Sequence, residues 1–305
     1  MVEVYIDVDM KKPLCAAVIP TYITQNEEGI YCPIPIYKIF ADDSVIMTNY
    51  EKKHAKKLHS LITKTMLGVK VPIDQLQERY YYTEEGYKRM PVRPLKDIPK
   101  NSAIGNAIKK SDSVCFVGDS ITAGSNNGGF GWYEPLMGAF PDVEVSNVSF
   151  GGATSKKILE KLEKERCESA SLYVIALGTN DIRYRRDSAC AMTSKEFVDY
   201  LNKITKQIKK ASPNAKLAFV SPWHSLDNDI YQEISKDEKK KLFEEYTKAE
   251  RDFCSQNGYM FINVSDALDE AIEAAPYGKY LVDHIHPNAV KGIYLYSQMI
   301  ANVTE

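Results

Sequence analysis

The stretch Val114-Cys115-Phe116-Val117-Gly118-Asp119-Ser120-Ile121-Thr122 decides how the rest of the chain is read. An apolar run stops sharply at Gly-Asp-Ser, and a glycine-rich segment follows from Gly124 to Gly131. This is the pattern of a buried strand that presents a serine hydroxyl at its carboxyl end. In open parallel sheets, ligands collect at that end of the strands. A serine in a turn more often caps a helix or bonds local backbone. The reading therefore depends on whether a base, an acid and hydrogen-bond donors follow at places a fold could bring together.

Outward from this stretch, apolar strands and amphipathic helices alternate from residue 112 onward. Strands are expected at 113–118, 143–149, 171–178, 216–221 and 259–264, and helices at 132–140, 155–168, 194–211, 236–256 and 288–303. Short apolar strands separated by helices argue for a parallel sheet covered on both faces. Polar clusters sit where these elements meet. Asn147-Val148-Ser149-Phe150-Gly151-Gly152-Ala153-Thr154 follows the second strand, and Gly178-Thr179-Asn180-Asp181 ends the third. Asp283-His284-Ile285-His286-Pro287-Asn288 precedes the last helix.

Together with Gly118-Asp119-Ser120, these clusters resemble the four blocks of the SGNH hydrolases, the GDSL esterase/lipase superfamily. The resemblance spans residues 112 to 303, with Ile121 where leucine is commoner. Four blocks in order on alternating elements are a specific signal, where one short motif is not. The resemblance places the second-block glycine on Gly152, by its spacing from Asn147, the third-block asparagine on Asn180, and the last-block pair on Asp283 and His286. It implies a flavodoxin-like three-layer α/β/α sandwich with a parallel sheet.

The chemistry is coherent with that assignment. A serine hydroxyl is a poor nucleophile without a base in hydrogen-bond reach. Histidine is the natural base near neutral pH, and a carboxylate best fixes its orientation. Ser120, Asp283 and His286 supply these roles. Negative charge that develops on the attacked carbonyl oxygen needs preplaced donors. The backbone N–H groups of Ser120 and Gly152 and the side-chain amide of Asn180 are the expected oxyanion hole. His286 precedes Pro287 as the family's base does, so His284 is read as structural. Asp119 and Asp181 are read as structural or orienting. No Gly-x-Ser-x-Gly elbow surrounds Ser120, which argues against an α/β-hydrolase. The loop from Ser125 to Trp132 reads as a flexible lid. Trp132 and Trp223 are the aromatic candidates for substrate contact, with a buried anchor as the competing reading of Trp223.

Composition bounds the rest. The chain has 305 residues, 44% of them hydrophobic and 26% charged, with a net charge of −2. That balance offers nothing to nucleic acid or an anionic membrane. No bilayer-spanning window or signal-peptide pattern is visible, and the six cysteines are scattered and read as reduced. A cytoplasmic location is expected, with no metal or other cofactor. Of 14 prolines, eight lie before residue 100, whereas 12 of 16 glycines lie after residue 110. Residues 1–110 are therefore expected to form a smaller β-rich accessory domain with a connector over Pro91–Lys110. Its elements would be an alternating strand over Val2–Met10, strand-like runs at Leu14–Ile23 and Ile30–Phe40, a helix at 50–67 and a tyrosine-rich loop at 77–89. Residues 111–305 carry the hydrolase pattern.

The leading expectation is a serine esterase that removes short acyl groups, acetyl first among them, from a carbohydrate or other polar ester. The alternatives are a lipid or thioester hydrolase, an O-acyltransferase of glycan biosynthesis, and a non-catalytic carbohydrate-binding protein.

Overall fold

The computed structural model describes strand backbone within residues 13–89. It also describes residues 92–304 apart from 126, 128, 166–167, 183–191, 224–235, 276–278, 282–284 and 290, with backbone only at 236–237. The amino-terminal strands are β1 (Pro13–Val18), β2 (Thr24–Asn26), β3 (Gly29–Tyr31), β4 (Pro35–Phe40), β5 (Ser44–Asn49), β6 (Lys70–Pro72), β7 (Tyr80–Thr83) and β8 (Gly86–Arg89). They pair antiparallel, in a sheet of order β1-β4-β5-β6 and in the hairpins β2–β3 and β7–β8. The tyrosine-rich stretch read as a loop is thus the last hairpin, with Tyr82 opposite Tyr87. Tyrosine suits a pleated surface. The strand expected at Val2–Met10 and the helix expected at 50–67 lie outside the described residues.

The second sheet is parallel. Its strands are β9 (Ser113–Gly118), β10 (Glu144–Ser149), β11 (Leu172–Ala176), β12 (Lys216–Val220) and β13 (Met260–Ile262), in spatial order β10-β9-β11-β12-β13. Around it lie α1 (Ala103–Lys109), α2 (Ser120–Ala123), α3 (Glu134–Met137), α4 (Ser155–Lys164), α5 (Ser194–Ala211), α6 (Lys236–Asn257), α7 (Ser265–Glu273) and α8 (Gly292–Asn302). This is the three-layer α/β/α sandwich that the SGNH resemblance implied, built on the parallel sheet that the alternation argued for. The chain runs from β9 outward to β10, then crosses back to continue at β11. The strand order reverses between β9 and β11, and such a switch point opens a crevice at the carboxyl ends of the two strands.

Period-two alternation divides each central strand between two cores. Val114, Phe116, Leu172, Val174, Ala176, Ala218 and Val220 face one, with Ile104, Ile108, Leu268, Tyr296 and Ile300 from helices. Cys115, Val117, Tyr173, Ile175, Leu217 and Phe219 face the other, with Ile158, Phe197, Leu201, Ile204 and Tyr246. Each large apolar side chain buried this fully contributes about 1.5–3 kcal/mol before entropy is charged against it. Local signals set the helix starts. Thr193 and Glu196 form a reciprocal capping box at the start of α5.

Three helices were not expected, one of them the single turn α2 at Ser120. α7 follows β13 directly, and its buried face is thin, chiefly Leu268 and Ile272. α1 lies within the stretch read as connector. Its Ala103, Ile104, Ala107 and Ile108 are buried, and Ala103 N–H donates to Val303 O at 2.9 Å. Leu95 N–H likewise donates to Pro135 O at 2.8 Å. The packed α/β core therefore takes in residues from about Arg93 onward, and the composition break near residue 110 falls inside it.

Helix α6 carries an anomaly in its buried stripe. Phe243, Tyr246, Phe253 and Cys254 pack inward, and Glu250, also 0% exposed, sits among them. Neither Glu250 carboxyl oxygen meets a hydrogen-bond partner. Burial first, and the nearby Asp181 second, push its pKa well above the ordinary 4.5. The folded state thus holds a proton that the unfolded chain releases. Stability from this group is complete below pH 4.5 and is lost as pH rises above it, by about 1.4 kcal/mol per pH unit while the difference persists. Glu250→Met removes the ionisable group at similar volume. Its urea midpoint should exceed that of the wild type, with a margin that is larger at pH 8 than at pH 5. A margin independent of pH would mean that Glu250 does not stay protonated.

Candidate active site

Strand β9 ends at Gly118, whose lack of a side chain is required. A Cβ there would lie 2.2 Å from Thr122 Oγ1 and 3.0 Å from Ala176 O. The chain can therefore turn at once into α2. Asp119 caps this helix, its Oδ1 accepting from Ile121 N–H at 2.9 Å. Ser120 is the first helical residue and is 8% exposed. Its N–H has no acceptor within the helix, as at any helix start.

The second and third blocks meet beside it. Gly152 adopts φ +67°, a left-handed conformation that favours glycine, and a Cβ there would meet nothing within 4 Å. The space over Gly152 is open. Lys157 Nζ donates to Gly152 O at 3.0 Å. Asp181 Oδ1 accepts from Ser155 N–H at 2.9 Å and from Ser155 Oγ at 2.6 Å. That carboxyl ties the start of α4, and with it the Gly152 turn, to the end of β11. Asn180 is 8% exposed. Its Nδ2 lies 3.0 Å from Ala153 O and 3.4 Å from Asp119 Oδ2, so both amide hydrogens face protein acceptors in the resting site. The second of these contacts is long and weak.

The fourth block reaches the same place. His286 is half-buried, and its charge is among the influences on the Asp119 carboxyl. Asp119 is raised to about 7, first by burial, then held back by the Ile121 N–H and by His286. Asp181 is raised to about 6, again by burial, against the hydrogen bonds from Ser155. Both carboxyls thus add to the loss of stability expected as pH rises above about 4. Asp283 and His284 lie outside the described residues. The structure gathers Ser120, Gly152, Asn180 and His286 at the mouth of the β9/β11 switch point.

Three expectations change. Trp132 is fully buried, donating Nε1–H to Thr122 Oγ1 at 3.1 Å and meeting Phe116 edge-on. Trp223 is 2% exposed against Tyr296, and its backbone is held by Thr179 Oγ1. Neither ring has a free face for a sugar, so both are core anchors and not substrate-binding residues. The supposed lid is also packed down, with Asn127, Phe130 and Trp132 all buried. Gly131 there serves close packing, since a Cβ would lie 2.6 Å from Thr122 O, whereas Gly129 has nothing within 4 Å, and a sequence cannot separate the two roles. Asn127 was not singled out at all, because its partner is remote in the chain.

A parallel sheet with a serine, a glycine turn, an asparagine and a histidine at its switch point defines an SGNH-type hydrolase architecture. Residues 116–290 match the GDSL-like lipase/acylhydrolase family, and the chain belongs to it. A GDSL-like protein from Parabacteroides merdae shares the fold at 20% identity and a TM-score of 0.50, over 68% of this chain and 97% of that one. A catalytic mutant of an acetylxylan esterase from Geobacillus stearothermophilus does so at 17% identity and 0.50, over 63% and 94%. No curated protein matches the sequence.

Proposed function

We propose that the protein is a serine esterase that removes short acyl groups, acetyl above all, from a carbohydrate or similarly polar ester. The observation that carries this reading is the convergence of Ser120, Gly152, Asn180 and His286 at one switch point. His286 takes the Ser120 proton as the hydroxyl attacks the ester carbonyl, and an acyl-enzyme forms as the alcohol leaves with that proton. Water, activated by the same histidine, releases the acid. Asp283 is assigned to orient His286. The N–H groups of Ser120 and Gly152 and the Asn180 amide receive the oxyanion.

The acetylxylan esterase among the structural neighbours is consistent with acetyl on sugar. The test is a panel of aryl esters of increasing acyl length, then acetylated sugars with and without a sugar acceptor. Acetate should be turned over fastest and long chains hardly at all. A preference for chains of eight carbons or more would overturn the short-acyl reading, and acyl transfer to the acceptor in place of hydrolysis would make the protein an acyltransferase.

The Asn180 assignment predicts a specific kinetic signature. Its Nδ2 must exchange the 3.4 Å contact with Asp119 for the oxyanion. Asn180→Ala should lower kcat by roughly 100- to 1,000-fold. KM should move little, because the bond strengthens only as charge develops. An effect mainly on KM would mean that Asn180 binds ground-state substrate.

A further inference from the structure

We propose that Asn127 is a positioning residue that sets where His286 stands relative to Ser120. This rests on the reading of Ser120 and His286 as nucleophile and base. Asn127 lies in the loop between α2 and α3 and is 2% exposed. Its Nδ2 donates to Pro287 O at 2.8 Å and to Phe130 O at 2.9 Å, while its Oδ1 accepts from Phe130 N–H at 2.9 Å. Both amide hydrogens and one face of the carbonyl are used, and one bond spans 160 residues of chain.

The place of that bond matters. Pro287 directly follows His286, and its ring locks φ. A residue before proline is itself confined to extended backbone. Few soft torsions therefore separate the anchored Pro287 carbonyl from the imidazole. On its far side the segment is held locally by Asn288, whose N–H donates to Tyr280 O at 2.7 Å and whose Oδ1 accepts from Lys291 N–H and Gly292 N–H. Asn127 instead joins it to the loop that leaves the nucleophile. That loop is fastened back to Ser120, with Ser125 N–H donating to Ser120 O at 2.8 Å. An apolar contact reinforces the joint, because Phe130 is buried against Ala289 and Ile293 just beyond Pro287. The path from Ser120 O through Ser125, Asn127 and Pro287 to His286 is short, with Ser120, Asn127 and Pro287 buried and Ser125 and His286 half-buried. Only a fork with two donors and an acceptor on a short stem closes it.

The test compares wild type with Asn127→Asp, which keeps the shape but loses both donors, and with Asn127→Ser, which loses them without adding charge. Ile208→Ala, in α5 on the other face of the sheet, serves as a control for general loss of stability. For both Asn127 variants, kcat on an aryl acetate should fall about 10- to 100-fold, the effect of misplacing a reacting group by about an ångström. KM should stay within about threefold, and the rate of fluorophosphonate labelling at Ser120 should fall by the same factor as kcat. The apparent pKa on the acid limb of the kcat/KM profile should move as well. The Ile208→Ala control should lose stability without these changes. A folded Asn127→Ser with wild-type kcat and labelling overturns the proposal, as does an equal kcat loss in Ile208→Ala. Failure of both Asn127 variants to fold would also overturn it, since Asn127 would then serve the fold as a whole. If Ser120→Ala or His286→Ala stays active, it is the underlying reading that fails.

Discussion

Ser120→Ala should lose ester turnover by about 10⁴- to 10⁶-fold while folding as the wild type does. The size follows from the role, because without the hydroxyl no acyl-enzyme forms and only the oxyanion donors and substrate binding remain. In serine-triad enzymes these retain about 10³-fold over the reaction in water. The innocuous effect on folding follows from the structure. Asp119, not Ser120, caps α2, through Ile121 N–H, and alanine is well tolerated as a first helical residue. The melting temperature should therefore be close to that of wild type. A fluorophosphonate probe should label wild type at Ser120 and leave Ser120→Ala unmarked. A purified variant with normal turnover would sink the covalent mechanism, and labelling of a different serine in wild type would relocate the nucleophile.

The parts of the fold that could be read from the chain are those where one physical rule dominates. Residues 113–118 form a strand in sequence and in structure because both faces are buried from Val114 onward, so the run after Ser113 carries no polar side chain. Helix α5 spans Ser194–Ala211 as expected because Phe197, Leu201, Ile204 and Ile208 recur at helical spacing behind a Thr–Glu capping box. The parts that escaped are those where long-range contacts decide. Helix α1 is built on small residues among prolines, and its reason to fold is the surface of α8. Trp132 and Trp223 are aromatic residues near a serine, and nothing local tells a stacking platform from a core anchor. Glu250 interrupts an apolar stripe that would otherwise have been plain, and the stripe's spacing is the one signal that marks it as buried.

The same division runs through the site. Block order brings Ser120, Gly152, Asn180 and His286 into view because each sits at an element boundary with a distinctive residue. The supports beneath them do not show. Asp181 binding Ser155 and Asn127 binding Pro287 are pairings between residues far apart, each invisible until the sheet order is known. This has an energetic side. Asp119 and Asp181 are held buried at raised pKa, about 7 and about 6, which lowers stability near neutral pH while it rigidifies the turns that carry the donors. Buried carboxyls in such a place are common where geometry matters more than stability.

His286→Ala should cost kcat about as much as the loss of Ser120, some 10⁴- to 10⁶-fold, because nucleophile and base act as a unit. KM should change little, since the imidazole acts on the Ser120 proton and not on the bound ester. His284→Ala should keep most of the activity, and the opposite ranking would put the base on the wrong histidine. A second readout is independent of turnover. The charge of His286 lowers the pKa of the buried Asp119, which with that help stands at about 7. Removing the imidazole takes away an interaction that favours the ionised carboxyl, so the Asp119 pKa in His286→Ala should rise above its wild-type value. Carbon-13 chemical shifts of the labelled aspartate carboxyls, followed through the titration, measure this directly. Because a raised carboxyl pKa extends the range over which the folded state holds an extra proton, His286→Ala should also lose stability more steeply than wild type as pH rises past 7. An inactive His286→Ala in which the Asp119 titration is unmoved would separate the two roles, leaving His286 as the base while withdrawing it from the neighbourhood of Asp119.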